Sequence, residues 1–289
     1  MMTRQRMYIL TAFSALLFVF LNWAFADGMF NLSHLFSMKI GAGENATNYV
    51  TNMTIFTYLF LALIIVAGVW QAQRLPVSGV NIEPATVAHT EGQADDPKAW
   101  KLLLGNAYFA VVWLALRFYI GFEWLMAGEH KIRSDAWMDG GTALKGFWTG
   151  ATTIPEGATA SRAGTYDWYH NFLKYMLDNE WYTWFAKLIA VGEFLIGLGL
   201  IVGALVGIAA FFGTLLNISF MLAGTVSSNP VMFAITVFLV LGWKVAGYFG
   251  VDRYLLPTLG APWQAGSLVQ GEGVTAIRAE GDRGPVAHA

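Results

Sequence analysis

The stretch 116-LRFYIGFEWLMAGEHKI-132 decides how this chain is read. It lies inside a long apolar run, yet it carries Arg117 and Glu123 before it reaches Glu129, His130 and Lys131. What an arginine does there depends on the kind of protein around it. The chain has 289 residues, 56% hydrophobic and only 12% charged, with a mean hydropathy of +0.50. Soluble domains carry about 25% charged residues. The deficit of charge, with 21 Phe, 12 Trp and 11 Tyr, points to an integral membrane protein. A net charge of −2 gives nucleic acid no reason to bind. Cysteine is absent from the sequence, which excludes disulfides, thiol nucleophiles, cysteine-ligated zinc and iron–sulfur clusters.

Outward from that stretch, six segments have the roughly 20 apolar residues that a span needs: about 7–26, 52–71, 103–127, 184–203, 206–225 and 231–250. The expected class is therefore an all-α integral membrane protein with about six transmembrane helices. From Leu188 to Thr225 the only charge is Glu193. One helix of that length would be about 57 Å long against a ~30 Å hydrocarbon core. A hairpin turning near Gly203 to Gly207 is expected instead. Gly199, Gly203 and Gly207 recur at four-residue spacing, which favours close helix packing in lipid. The first segment has a second reading. Its basic start, apolar middle and Ala24-Phe25-Ala26 before Asp27 also have the form of a cleavable signal peptide. A retained span is the expectation adopted.

Lys and Arg outside the spans favour both termini in the cytoplasm, with Arg4, Arg6, Arg74, Lys98, Lys101, Lys244 and Arg253 among those inside. The chain then divides into an N-terminal helix pair (1–71), a polar cytoplasmic linker (72–102), a membrane bundle (103–258) and a disordered tail (259–289). Within the bundle a long outer loop, 128–183, joins the third and fourth spans, and loops of that length are seldom idle. Its second half places Tyr169, Phe172, Leu173, Met176 and Leu177 on one helical face. That predicts an amphipathic helix at the membrane surface, with Trp168, Trp181 and Trp184 in the aromatic belt. It serves either as an interfacial anchor or as a lid over a site between helices.

Charges in mid-membrane are costly and face the bundle interior. If the third span ends near Ala127 and the fourth starts near Trp184, Arg117 and Glu193 lie about 15 and 14 Å below the outer face. Asn217 comes out about 12 Å below it. Three polar side chains on three helices are thus expected at one level. Either Arg117 and Glu193 form a structural ion pair capped by Asn217, or the guanidinium holds an anionic or carbonyl-bearing ligand with Glu193 as proton acceptor. Glu123 lies one and a half turns above Arg117. Lys131 and Arg133 sit at the mouth, where they funnel an anion or simply snorkel to the interface. His130 is a candidate proton carrier or quinone ligand. No pair of histidines on one helix has metal-ligand spacing, so neither haem nor a metal is expected.

With those residues in view, the sequence resembles the DoxX family of membrane proteins. Arg117, Gly121, Gly128 and Lys131 match one helix signature of that family. Ala190, Glu193 and Gly197, within LIAVGEFLIGLGLIVG (188–203), match another. The closing run from Asn217 to Pro257 is similar to the longer, DoxD-related members, of the thiosulfate:quinone oxidoreductase membrane-subunit type. The resemblance covers about 103–258 and implies a four-helix bundle there. The N-terminal helix pair and the long outer loop depart from the short members. What the resemblance implies is a multi-pass cell-membrane subunit of a quinone-linked respiratory oxidoreductase. Its electron donor would be thiosulfate or another reduced sulfur anion, and a second membrane or periplasmic subunit would accompany it. Quinone is the cofactor expected. The other reading is a non-catalytic scaffold or assembly subunit. A transporter is disfavoured because the sequence shows no internal repeat.

Overall fold

Two apolar faces, one turned inward and one outward, recur along the long helices of this chain. The computed structural model describes residues 1–25, 47–84, 92, 94–159, 166–261 and 263. Among them it is all-helical, with no strand and one isolated antiparallel bridge between Met2 and Val80. The helices are α1 (Arg4–Phe25), α2 (Thr47–Arg74), α3 (Lys98–Gly105), α4 (Ala110–Ile132), α5 (Asp135–Met138), α6 (Thr142–Thr152), α7 (Asp167–Asp178), α8 (Tyr182–Val202), α9 (Val206–Leu222), α10 (Asn229–Leu241), α11 (Trp243–Ala246) and α12 (Asp252–Thr258). A 3-10 turn, Ala107–Phe109, leads into α4.

Four of the described helices are long and apolar enough to cross a membrane: Arg4–Phe25, Phe56–Arg74, Ala107–Ile132 and Tyr182–Val202. The two further apolar helices, α9 and α10, are shorter, at 17 and 13 residues. The last apolar run is interrupted at Gly242, against which the Trp113 ring packs. The expected tail beyond residue 263 lies outside the described residues.

The main segments alternate in direction. Thr11 packs on Gly68 and Phe18 on Phe60, which makes α1 and α2 antiparallel. Arg4 Nε donates to Leu75 O at the end of α2, and Gln71 Nε2 donates to Ala107 O at the start of α4. Helix α4 is the hub. It buries fourteen of its residues, Arg117 included. It packs most extensively on α8 and also touches α1, α2 and α10. The seam between α4 and α8 is made by glycine. A Cβ at Gly128 would collide with the backbone of Phe194, and one at Gly197 with the backbone of Leu125. Gly121 lies against Leu200 and Ile201. Small residues on facing helices bring the two backbones together where lipid gives no hydrophobic drive between helices. Gly199, Gly203 and Gly207 do something different. They lie around the α8–α9 turn rather than on one continuous helix, with Gly203 ending α8 at φ 74°.

The outward faces are apolar. On α8, Leu188, Val191, Leu195, Leu198 and Val202 are exposed at three- and four-residue spacing. Glu193 lies on the opposite, buried face with Ile189, Ala190, Ile196, Gly197 and Leu200. On α1, Ile9, Phe13, Leu16 and Phe20 form a similar exposed stripe. A chain whose polar side chains turn inward and whose large apolar ones turn outward is built for a hydrocarbon solvent.

Segment 128–183 is largely structured where described. Its Gly- and Thr-rich first half, expected as loop, contains α6. The expected amphipathic helix is present as α7, ending at Asp178, so that Trp184 belongs to α8. Tyr169, Leu173 and Met176 face inward, Phe172 is exposed and Leu177 is half-buried. Leu144, Trp148 and Ala151 of α6, the three buried α7 residues, the first turns of α8 and Ala223 form a second apolar core. Tyr169 Oη donates to Ser219 O at 2.8 Å and ties α7 to α9. Burial raises the Tyr169 phenol above its ordinary range.

Candidate functional site

The buried polar groups form two centres, and the expected ion pair between Arg117 and Glu193 does not exist. The glycine seam sets a register in which Gly128, not Ala127 and Trp184, defines the match between α4 and α8. Gly128 faces Ala190 and Phe194, so Lys131, one turn on, meets Glu193. Arg117 lies 14 residues before Lys131, about 21 Å along the axis. Aligning the two helices at their supposed outer ends placed the charges at one level. Close packing of glycine shifts them apart.

Arg117 is fully buried, and its guanidinium makes four hydrogen bonds, all to backbone carbonyls. Nε donates to Leu200 O at 2.6 Å and Nη1 to Ala246 O at 2.7 Å. Nη2 donates to Ile201 O at 3.1 Å and to Phe249 O at 2.9 Å. Leu200 and Ile201 belong to the last turn of α8, where carbonyls lack helical partners and the helix dipole is negative. The neighbouring acid is Asp252. Its Oδ1 and Oδ2 accept from Leu205 N at 2.6 Å and Val206 N at 2.9 Å, capping the start of α9. Leu205 has a left-handed φ of 51°, held by that contact. Arg117 and Asp252 thus close one end of the bundle, a cation on carbonyls and an anion on amides. The sequence reading missed Asp252. Its only signal was an acid at the start of a short helix.

The second centre is a cavity of about 350 Å³ at the other end of the seam. Its lining includes Glu123, Trp124 and Lys131 of α4, Trp137 and Phe147 of the outer segment, Glu193 of α8 and Thr225 after α9. Lys131 Nζ and Glu193 Oε2 are 2.6 Å apart. The carboxylate is 1% exposed and the lysine side chain 18%, so the lysine closes the wet side. Lys131 Nζ also lies 5.1 Å from the Trp137 ring centre.

Two donors in this wall have no hydrogen-bond partner: Trp124 Nε1 and Thr225 Oγ1. Nor does either amide atom of Asn217, which is fully buried. Trp124 Nε1 would lie 3.1 Å from a Cβ on Gly213, one turn before Asn217 on the same face of α9. Buried polar groups are nearly always paired, so orphans beside a cavity mark where a ligand or water belongs.

The sequence candidates therefore separate. Glu193, Lys131 and Glu123 share the cavity wall, and Asn217 is buried on the helix that backs it. Arg117 belongs to the other centre. His130 and Arg133 are exposed and do not line the cavity, and Arg133 pairs with Glu129 one turn away. Among the described residues, no group of three or more His, Asp or Glu side chains is placed to hold a metal ion.

The described residues form an all-helical protein with four helices long and apolar enough to cross a membrane and an aromatic, polar-floored cavity between its helices. Comparison with family models, with curated proteins and with solved structures gives no match.

Proposed function

We propose that the chain is a DoxX-type, DoxD-like membrane subunit that binds a quinone headgroup in the Lys131–Glu193 cavity. It would be a multi-pass protein of the cell membrane with six spans, α9 and the α10–α11 run completing a four-helix bundle with α4 and α8. Both termini lie in the cytoplasm. One observation carries the site: unpartnered donors, Trp124 Nε1 and Thr225 Oγ1, stand in the same wall as a Lys–Glu pair whose carboxylate is buried. A quinone carbonyl needs a donor, and the aromatic side chains Trp124, Trp137, Phe147 and Phe220 offer faces to its ring. The resemblance adds support. Gly121, Gly128, Gly197 and Ala190 lie in the seam that positions Lys131 against Glu193.

In this reading Trp124 Nε1–H and Lys131 Nζ donate to the quinone oxygens. Reduction to quinol takes two electrons and two protons. The electrons come from a reduced sulfur anion, oxidised by two electrons at the outer face or in a second subunit. Lys131, held as an ammonium against the Glu193 carboxylate, would give one proton to a quinone oxygen, and water at the exposed side of the cavity, relayed by the same pair, would supply the second. Arg117 takes no part in the chemistry.

The test is purification in mild detergent, solvent extraction and mass spectrometry of bound quinone, with thiosulfate-dependent quinone reduction assayed on the same sample. Glu193→Gln should retain quinone and lose at least about a hundredfold in rate, the lower range for a positioned acid or base. Trp124→Phe should weaken quinone retention. A protein that carries no quinone and reduces none refutes the proposal. The alternative, a non-catalytic scaffold, draws on the Arg117 centre, whose four bonds to backbone carbonyls tie α8 to the closing turns of the chain. It expects both variants to behave as wild type.

A further inference from the structure

We propose that a second apolar face of α7, the stripe Trp168, Phe172 and Tyr175, seats the outer segment at the headgroup level of a lipid leaflet. Tyr169, Leu173 and Met176, expected at the membrane surface, are buried instead in the second apolar core. A different stripe is left outside. Trp168, Phe172 and Tyr175 recur at four- and three-residue spacing and are 62%, 45% and 56% exposed. Their centre lies about 100° round the helix from the buried stripe. Asp167, Asn171, Lys174 and Asp178 are also exposed, and they fall on the side opposite the buried stripe. Helix α7 thus presents three faces: one packed, one aromatic and one polar.

What covers the aromatic face follows from the surface it joins. Tyr175 packs edge-to-face on Trp181 with ring centres 5.8 Å apart, and the Trp181 ring lies 5.7 Å from that of Trp184. Trp184 heads the exposed stripe that runs on through Leu188, Val191, Leu195, Leu198 and Val202 of α8. On a helix long and apolar enough to cross a membrane, that stripe faces lipid. The aromatic face of α7 therefore continues the lipid-facing surface at its outer end. Trp and Tyr concentrate at that depth because the ring is apolar and its tip polar. The polar face then turns to water, as in helices that lie in the plane of a membrane.

The seat bears on the cavity. Helix α6 packs on the buried face of α7 through Leu144, Trp148 and Ala151, and Phe147 of α6 lines the cavity. Glu193 is nine residues beyond Trp184, about 14 Å deeper along α8. Lipid against α7 therefore steadies one wall of the site that holds the Lys131–Glu193 pair, whatever ligand enters it. The inference rests on α8 crossing the membrane and is independent of the quinone reading.

The sequence has no cysteine, so a single-cysteine variant carries one nitroxide label. Full-length protein with Phe172→Cys, Tyr175→Cys, Lys174→Cys or Leu195→Cys, all at exposed positions, is labelled and placed in phosphatidylcholine nanodiscs without any other protein. Collision of the label with oxygen and with a water-soluble nickel chelate reports its depth. Labels at 172 and 175 should lie about 5–10 Å below the headgroup phosphates. The label at 174 should be in water, and the one at 195 about 16 Å below the level of Trp184. Nickel access at 172 and 175 equal to that at 174 overturns the proposal and assigns the stripe to a protein partner. Nickel access at 195 as well takes α8 out of the membrane, and the reading of α8 as a span falls with the proposal.

Discussion

Arg117→Met removes a cation from four carbonyl oxygens and leaves the side-chain volume nearly unchanged. Two of those bonds, to Leu200 O and Ala246 O, are 2.6 and 2.7 Å long and fully buried. A buried acceptor left without its donor costs about 1–3 kcal/mol, so these two alone predict a loss of about 4 kcal/mol. At roughly 2–4 °C per kcal/mol, the unfolding midpoint in detergent should fall by about 8–16 °C. The sharper measurement is a double-mutant cycle. If Arg117 and Glu193 belong to different centres, the effects of Arg117→Met and Glu193→Gln add to within about 0.5 kcal/mol. Lys131→Met and Glu193→Gln share one ion pair at 2.6 Å and should couple by about 1–3 kcal/mol. Coupling above about 1 kcal/mol between positions 117 and 193 would refute the two-centre description.

Three other outcomes follow from the geometry. Gly128→Ala and Gly197→Ala each force a Cβ into the facing backbone and should cost at least about 2 kcal/mol in thermal unfolding, whereas Gly192→Ala, with open space around it, should be neutral or stabilise by up to about 1 kcal/mol. Asp252→Asn keeps one acceptor of the α9 cap but sets an NH2 donor against the other backbone N–H and loses the charge, and should lower stability by about 2 kcal/mol in the same assay. Tyr169 has a folded-state pKa raised by burial, so the unfolded chain loses that proton first as pH rises. Stability should therefore fall from about pH 10 upward, as the phenol's unfolded pKa is passed, and Tyr169→Phe should remove that part of the alkaline dependence.

Hydropathy was enough to find the long helices, because a lipid-facing stripe and a buried stripe are both apolar and only length is needed. It was also enough to separate α8 from α9, since the uninterrupted run was too long for one span. Register was harder. Two antiparallel helices were aligned by where apolar character stopped, and that boundary is soft at Ala127, where α4 runs on to Ile132. The information was present in Gly121, Gly128 and Gly197, whose missing side chains mark where backbones touch. Helix α6 was hidden because Gly and Thr lower intrinsic helicity. Burial of Leu144, Trp148 and Ala151 against the outer part of α8 overrides that preference. Asp252 was illegible for a different reason: a cap on the helix that starts at Val206, supplied from 46 residues downstream, leaves no local pattern.

The carbonyls that receive Arg117 come 83 to 132 residues later in the chain. At roughly 5–20 residues per second, a ribosome needs about 7–26 s to make the last of them. For that interval a nascent third segment carries an unsatisfied cation, and it has no settled home in the bilayer until the closing turn arrives. Chains that stop short of Phe249 should therefore be cleared by quality control, however complete their apolar segments are.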